Sequence, residues 1–163
     1  MPQPFPPLAP LVQQLADLLR ARGWMMASAE SCTGGMIAAA CTDLAGSSEW
    51  FERGFVTYSN AAKTDMLGVP AALIAQHGAV SQEVAAAMAA GALSRSNAHV
   101  ALAVTGIAGP GGGSLEKPVG TVWFGWAIGN TVHTACIQWE GDRAAVRAQT
   151  SHHALQGLLQ LIG

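Results

Sequence analysis

The chain has 163 residues, enough for one well-buried core and too few for two ordinary domains. Its eight Lys and Arg are spread along the whole length under a formal net charge of −2, so it lacks the basic concentration that nucleic-acid binders use to neutralise phosphates. No apolar run is long enough to span a bilayer, and the Pro-rich N-terminus has no basic region leading into an apolar core, which excludes a signal peptide.

In chain order, Leu8, Leu11, Val12, Leu15, Leu18 and Leu19 share one helical face, with Asp17 and Arg20 off it, and Gly23 stops the helix. Trp24 to Ala29 reads as a short buried strand running into Glu30-Ser31-Cys32-Thr33-Gly34-Gly35, and helix returns from Gly35 to Leu44. Trp50 to Tyr58 alternates as a strand. Asn60 can cap a short helix through Leu67, and Pro70 starts another that ends at Gly78. Ser81 is an N-cap for a long Ala-rich helix to Arg95, with Glu83 in the first turn, where the helix dipole favours it. His99 to Val104 is a strand that empties into a loop, Thr105 to Ser114, too glycine-rich for regular structure. Val119–Ile128 and Thr131–Trp139 form a hairpin about Gly129-Asn130, and the first strand, apolar on both faces, belongs inside the sheet. Asp142 caps a last helix with Val146, Ala154, Leu155, Leu158, Leu159 and Ile162 as its buried stripe. The expected architecture is α/β: a three-layer α/β/α single domain, residues 1–163, on a mixed β-sheet.

Polar residues are scarce, so their clusters carry information. The first, Glu30 to Gly35, lies at a strand-to-helix turn, where backbone N–H groups without helical partners can meet a developing oxyanion and glycines admit close approach. Ser31 is a candidate nucleophile there, Cys32 is a rival, and Ser31 or Thr33 serves equally well as a plain N-cap. Spacing alone decides none of these. The second cluster holds the only tyrosine, Tyr58, with Asn60 and one of the two lysines, Lys63. A lysine whose pKa is lowered by burial can deprotonate a serine without histidine, although an arbitrary lysine is more often a solvated one. The third is the loop Thr105-Gly106-Ile107-Ala108-Gly109-Pro110-Gly111, able to cradle an anion or to act as a flexible connector; it lacks the Gly-Lys-Ser/Thr ending of a Walker A loop. His152 and His153 are consecutive and point about 100° apart on a helix, so they do not chelate together. No spacing indicates a metal site. Cys32, Cys41 and Cys136, an odd number without Cys-x-x-Cys spacing, argue against a disulfide framework and fit a reducing cytoplasm. A hydrophobic share of 50% with 11% charged residues fits either a subunit contact or an Ala-lined core.

Taken together, Ala29-Glu30-Ser31-Cys32-Thr33-Gly34-Gly35, the Arg53 to Lys63 segment, Thr105 to Pro110 followed by Lys117-Pro118-Val119-Gly120, and Gly141-Asp142-Arg143 with Arg147 resemble the motifs of the CinA C-terminal domain family, in family order. The resemblance implies a nicotinamide-nucleotide amidase: hydrolysis of the carboxamide of nicotinamide mononucleotide to nicotinate mononucleotide and ammonia, in pyridine-nucleotide recycling. With the composition, charge and cysteine readings above, the expectation is no cofactor, no nucleic acid or membrane partner, and a cytoplasmic homo-oligomer, a dimer being favoured. Many family members carry a second, N-terminal domain with pyrophosphatase-type activity, for which this chain has no room. Residue by residue, Ser31 matches the family nucleophile, and Lys63 and Tyr58 match positions that help activate it. Glu30, Thr33, Gly34, Gly35, Asn60, Thr105, Gly106, Gly109 and Gly111 fall in substrate-lining segments, and Arg143 matches a phosphate contact. Turn amides near Thr33 and Gly34 would hold the oxyanion, and Tyr58 would help return the proton. The alternative is a catalytically silent nucleotide-binding or assembly module that keeps the same pocket.

Overall fold

In the computed structural model, which describes residues 5–163, the chain order is α1 (Leu8–Arg22), β1 (Met26–Glu30), α2 (Met36–Thr42), β2 (Phe51–Val56), α3 (Asn60–Leu67), α4 (Ala71–His77), α5 (Gln82–Ser94), β3 (Val100–Gly106), β4 (Thr121–Ile128), β5 (Thr131–Gln138) and α6 (Arg143–Ile162). The first four residues of the Pro-rich lead, included in the signal-peptide and domain readings, lie outside the described residues. The sheet has five strands in the order β2-β1-β3-β4-β5. β2, β1 and β3 run parallel, and β4 and β5 turn back antiparallel. The sheet is therefore mixed, as its sequence pattern requires, and β4 sits in its interior.

Two apolar clusters flank the sheet. One joins α1, α2 and α6 to the sheet through Leu15, Ile37, Trp50, Phe124, Leu155 and Leu158. The other gathers Leu67, Ile74, Val84 and Met88 from α3, α4 and α5 against the Ala-rich face of β1 and β3. Small residues on that face let α5 lie close: a Cβ added at Gly125 would come 2.5 Å from the Ala85 carbonyl oxygen. These layers are the expected α/β/α arrangement.

Local chemistry accounts for most boundaries. The Ser81 hydroxyl accepts from the Val84 N–H, and the Asp142 carboxylate from the Ala145 N–H, both N-caps as the sequence requires. At α3 the cap is Ser59, whose Oγ accepts from the Ala62 N–H, and not Asn60; the chain is still extended at Ser59 and already helical one residue later. β1 starts at Met26, since Trp24 folds back with its N–H on the Leu19 carbonyl and its ring stacked on His99. β2 stops at Val56, two residues short of Tyr58. β3 runs on through Thr105 and Gly106, which pair with Trp123 and Val122, so these two belong to a strand and not to the glycine loop. A single 3₁₀ turn at Ser47–Glu49 has no counterpart in the sequence reading.

Candidate active site

The cavity that gathers the polar residues lies at the C-terminal ends of the three parallel strands. It has a volume of about 250 Å³ and is lined by Ser31, Cys32, Tyr58, Asn60, Lys63, Ala79, Val80, Thr105, Gly106, Ala108 and Arg143. Ser31 follows β1, Tyr58 to Lys63 follow β2, and Thr105 and Gly106 end β3. Chain order takes β1 to β2 on one side and later to β3 on the other, so the site occupies the crevice that such a reversal opens.

Ser31 is 8% exposed and Lys63 is 1% exposed. Lys63 Nζ lies 3.1 Å from Ser31 Oγ, 3.0 Å from the Thr57 carbonyl oxygen and 3.3 Å from that of Tyr58. Burial pushes the Lys63 pKa below the ordinary lysine value, opposed by the nearby Cys32 thiol. Lys63 Nζ thus donates to the Ser31 hydroxyl and to two carbonyls; in the neutral amine the two carbonyl bonds can stay while the lone pair accepts the Ser31 O–H. Cys32 also touches the cavity, but burial pushes its thiol up to about 12, so it stays protonated near neutrality and is a poor nucleophile.

The turn between β1 and α2 is held from several sides. The Ser31 N–H donates to the Val104 carbonyl and the Gly34 N–H to the Ser31 carbonyl. The Gly34 amide, expected to face an oxyanion, is thus already engaged. The N–H groups of Cys32 and Thr33 meet no acceptor among the described residues. Gly34 and Gly35 have φ of +60° and +110°, a backbone path that side chains oppose.

Several residues expected against substrate serve the framework instead. Glu30 is fully buried, and its carboxylate accepts from the Thr33 hydroxyl at 2.5 Å and from the Ile37 and Ala38 N–H groups. The carboxylate is absorbed by the first turn of α2, whose N–H groups lack helical partners. Glu30, Thr33, Gly34 and Gly35 therefore shape the turn and do not line the cavity. Gly109 and Gly111 do not line it either, but the Gly109 carbonyl accepts from Arg143 at 2.8 Å. Thr105 lines it while its hydroxyl donates to the Ala79 carbonyl.

Tyr58 requires a correction of role. Its carbonyl oxygen meets Lys63, whereas its phenol is 62% exposed at the rim and accepts from Arg143 Nη2 at 3.3 Å. The residue thus splits between base and rim, and its hydroxyl is not beside the amine. Ala79, Val80 and Ala108 were not foreseen, having no polar group to mark them. Arg147 carried a signal, standing one helical turn beyond Arg143, and it donates to the carbonyls of Cys32 and Thr33. No group of three or more His, Cys, Asp or Glu able to hold a metal converges among the described residues. No helix among them is long and apolar enough to cross a membrane.

The fold is α/β, and its polar cavity holds a buried serine–lysine pair with no histidine among the lining residues. The CinA C-terminal domain model matches residues 8–162, and the chain belongs to that family. It is 56% identical over 155 residues to the nicotinamide-nucleotide amidohydrolase PncC of Pseudomonas putida, covering 95% of this chain and 97% of that protein. It is 56% identical over 148 residues to the protein of the same name from Enterobacter agglomerans, covering 90% of each. Among solved structures, competence/damage inducible protein CihA from Agrobacterium tumefaciens superposes with a TM-score of 0.95 at 45% identity over 100% of both chains.

Proposed function

We propose that this chain hydrolyses the carboxamide of nicotinamide mononucleotide to nicotinate mononucleotide and ammonia, with Ser31 as nucleophile and Lys63 as base. The single observation that carries the mechanism is the 3.1 Å contact between Ser31 Oγ and a lysine amine removed from water. The substrate rests on the relatives named nicotinamide-nucleotide amidohydrolase, which match nearly the whole chain.

Ser31 Oγ attacks the carboxamide carbon as its proton passes to Lys63 Nζ. Negative charge gathers on the carbonyl oxygen, opposite the unengaged N–H of Cys32, the turn residue after Ser31 that lines the cavity. Collapse breaks the C–N bond, and the Lys63 ammonium returns the proton to the departing amine, releasing ammonia. Water then adds to the Ser31 ester and gives a proton to Lys63. The C–O bond breaks, that proton restores the Ser31 hydroxyl, and nicotinate mononucleotide leaves, the proton of its new carboxyl group passing to solvent. The same residues serve both halves, and no cofactor enters the scheme.

The test is ammonia release from nicotinamide mononucleotide by the wild type, Ser31→Ala and Cys32→Ala. The expected outcome is activity lost to background in the first variant with the fold intact, and largely kept in the second. A wild type that binds the nucleotide without releasing ammonia would instead make this a silent nucleotide-binding module. The setting we propose is the cytoplasm, in keeping with three free cysteines. A homodimer would cover apolar side chains such as Val56 and Leu115, and light scattering on the purified protein decides it.

A further inference from the structure

Arg147 takes no part in the scheme above, yet its guanidinium is wired into the catalytic turn. Nε donates to the Cys32 carbonyl at 3.0 Å and Nη2 to the Thr33 carbonyl at 3.2 Å. The guanidinium lies against the turn at Gly34, where an added Cβ would stand in ordinary contact with Nη2 at 3.5 Å. Among the described residues Arg147 forms no ion pair with a carboxylate, so its charge falls on these two peptides.

Following each arm through the backbone gives the same end point. The carbonyl of Cys32 shares its peptide with the N–H of Thr33, which has no acceptor among the described residues. The carbonyl of Thr33 shares its peptide with the N–H of Gly34, which donates to the Ser31 carbonyl at 3.1 Å. That carbonyl shares its peptide with the N–H of Cys32, which also has no acceptor among the described residues. One arm crosses one peptide and the other crosses two, and each ends on an unpartnered N–H of the turn, that of Cys32 lying at the cavity beside the nucleophile. A peptide whose oxygen accepts a hydrogen bond becomes a stronger donor at its nitrogen, and chains of such bonds reinforce one another in a low dielectric.

We infer that Arg147 is a positioning residue for the oxyanion: from outside the cavity it braces the turn at Cys32 and Thr33 and, through the backbone, orients and polarises the Cys32 N–H that faces the cavity. This rests on the amidase reading above. The effect belongs to the transition state, because charge on the substrate oxygen appears only there. Arg147→Ala is therefore expected to lower kcat about 10–100-fold, less than or comparable to deleting one direct donor, with KM changed less than about threefold. Arg147→Lys keeps the charge but cannot fork onto two carbonyls, and it should fall between the two.

Loosening of the turn would also lower kcat, so the deciding measurement compares ammonia release from nicotinamide mononucleotide and from its thioamide analogue. Sulphur accepts hydrogen bonds weakly, so the wild type should favour the amide. If Arg147 works through the oxyanion, Arg147→Ala and Arg147→Lys lose most of that preference, the amide rate falling much more than the thioamide rate. Equal losses on both substrates, or an unchanged kcat, overturn the inference. Failure of the wild type to release ammonia from the amide would sink the amidase reading instead, and the two failures are distinguishable.

Discussion

The two lysines of the chain illustrate how surroundings separate a proposed base from a strut. Lys117 donates to the His77 carbonyl at 2.7 Å and pins the glycine loop, whereas Lys63 is enclosed beside Ser31. Because burial holds the Lys63 pKa below the ordinary value of about 10.4, its neutral form is present at a lower pH than that of a free lysine. The sign follows: kcat/KM should rise with pH as Lys63 deprotonates and level off above its pKa, and a pH–rate profile of Lys63→Met should lack that limb. Lys63→Arg should lose nearly all turnover, since arginine keeps the charge and cannot deprotonate in this range. Substantial turnover in Lys63→Arg would reduce Lys63 to a fixed charge. Ser31, Lys63 and Thr105 were legible as cavity residues because polar residues are few and clustered, and Arg143 only through the family motif. The part Tyr58 plays was not, because the choice between its carbonyl and its phenol depends on where β2 ends. Nor did the sequence reveal that the Gly34 amide is spent on Ser31.

Helix α2 has seven residues, too few to be stable in isolation, and it starts from a glycine that offers no side-chain cap. Glu30 takes over from outside the helix, accepting from two of its amides and from Thr33. Hydrogen bonds to an ionised group are among the stronger ones, and Glu30→Ala leaves buried donors without a partner. That substitution should cost about 3 kcal/mol of stability by urea unfolding, and Glu30→Gln, which keeps one acceptor oxygen, visibly less. A loss below about 0.5 kcal/mol for Glu30→Ala, the range of ordinary surface changes, would contradict this account. Such reuse of a motif residue is hidden from a linear reading, where Glu30 adjoins Ser31 and reads as part of the same pocket. Caps were more legible: Ser81 and Asp142 stand where apolar periodicity begins. At Ser59-Asn60 two capping residue types are adjacent, and only the backbone conformation chooses between them. The extension of β3 through Gly106 was likewise set by pairing with β4, a long-range partner no local pattern reports.

Across the whole molecule, alternation of strands and helices made the mixed three-layer sheet legible, and the two-faced apolar character of β4 placed it inside. Strand order was a different matter, since β1 meets both β2 and β3 only through crossovers whose direction local pattern leaves open. That order gathers the site, for its walls come from chain segments as distant as Ser31 and Arg143. With no visible ligand cluster, activity should survive exhaustive chelation; loss with recovery on one added metal would reveal a centre built some other way. The proposed phosphate contact depends on the assembled molecule. Arg143 opens α6, reaches the Gly109 carbonyl in the glycine loop and the Tyr58 phenol after β2, and so ties three separate segments at the cavity rim. Its guanidinium has five N–H donors and spends two on these partners, leaving others for a phosphate at the mouth. On the proposed mechanism Ser31 and Lys63 take the carboxamide deep in the cavity, which would set the phosphate of the same substrate toward this rim. Arg143→Ala should then raise KM for nicotinamide mononucleotide at least tenfold while changing that for nicotinamide riboside little, the nucleoside having no phosphate to lose. If both substrates weaken equally, Arg143 braces the rim through Gly109 and Tyr58, and the phosphate is held elsewhere.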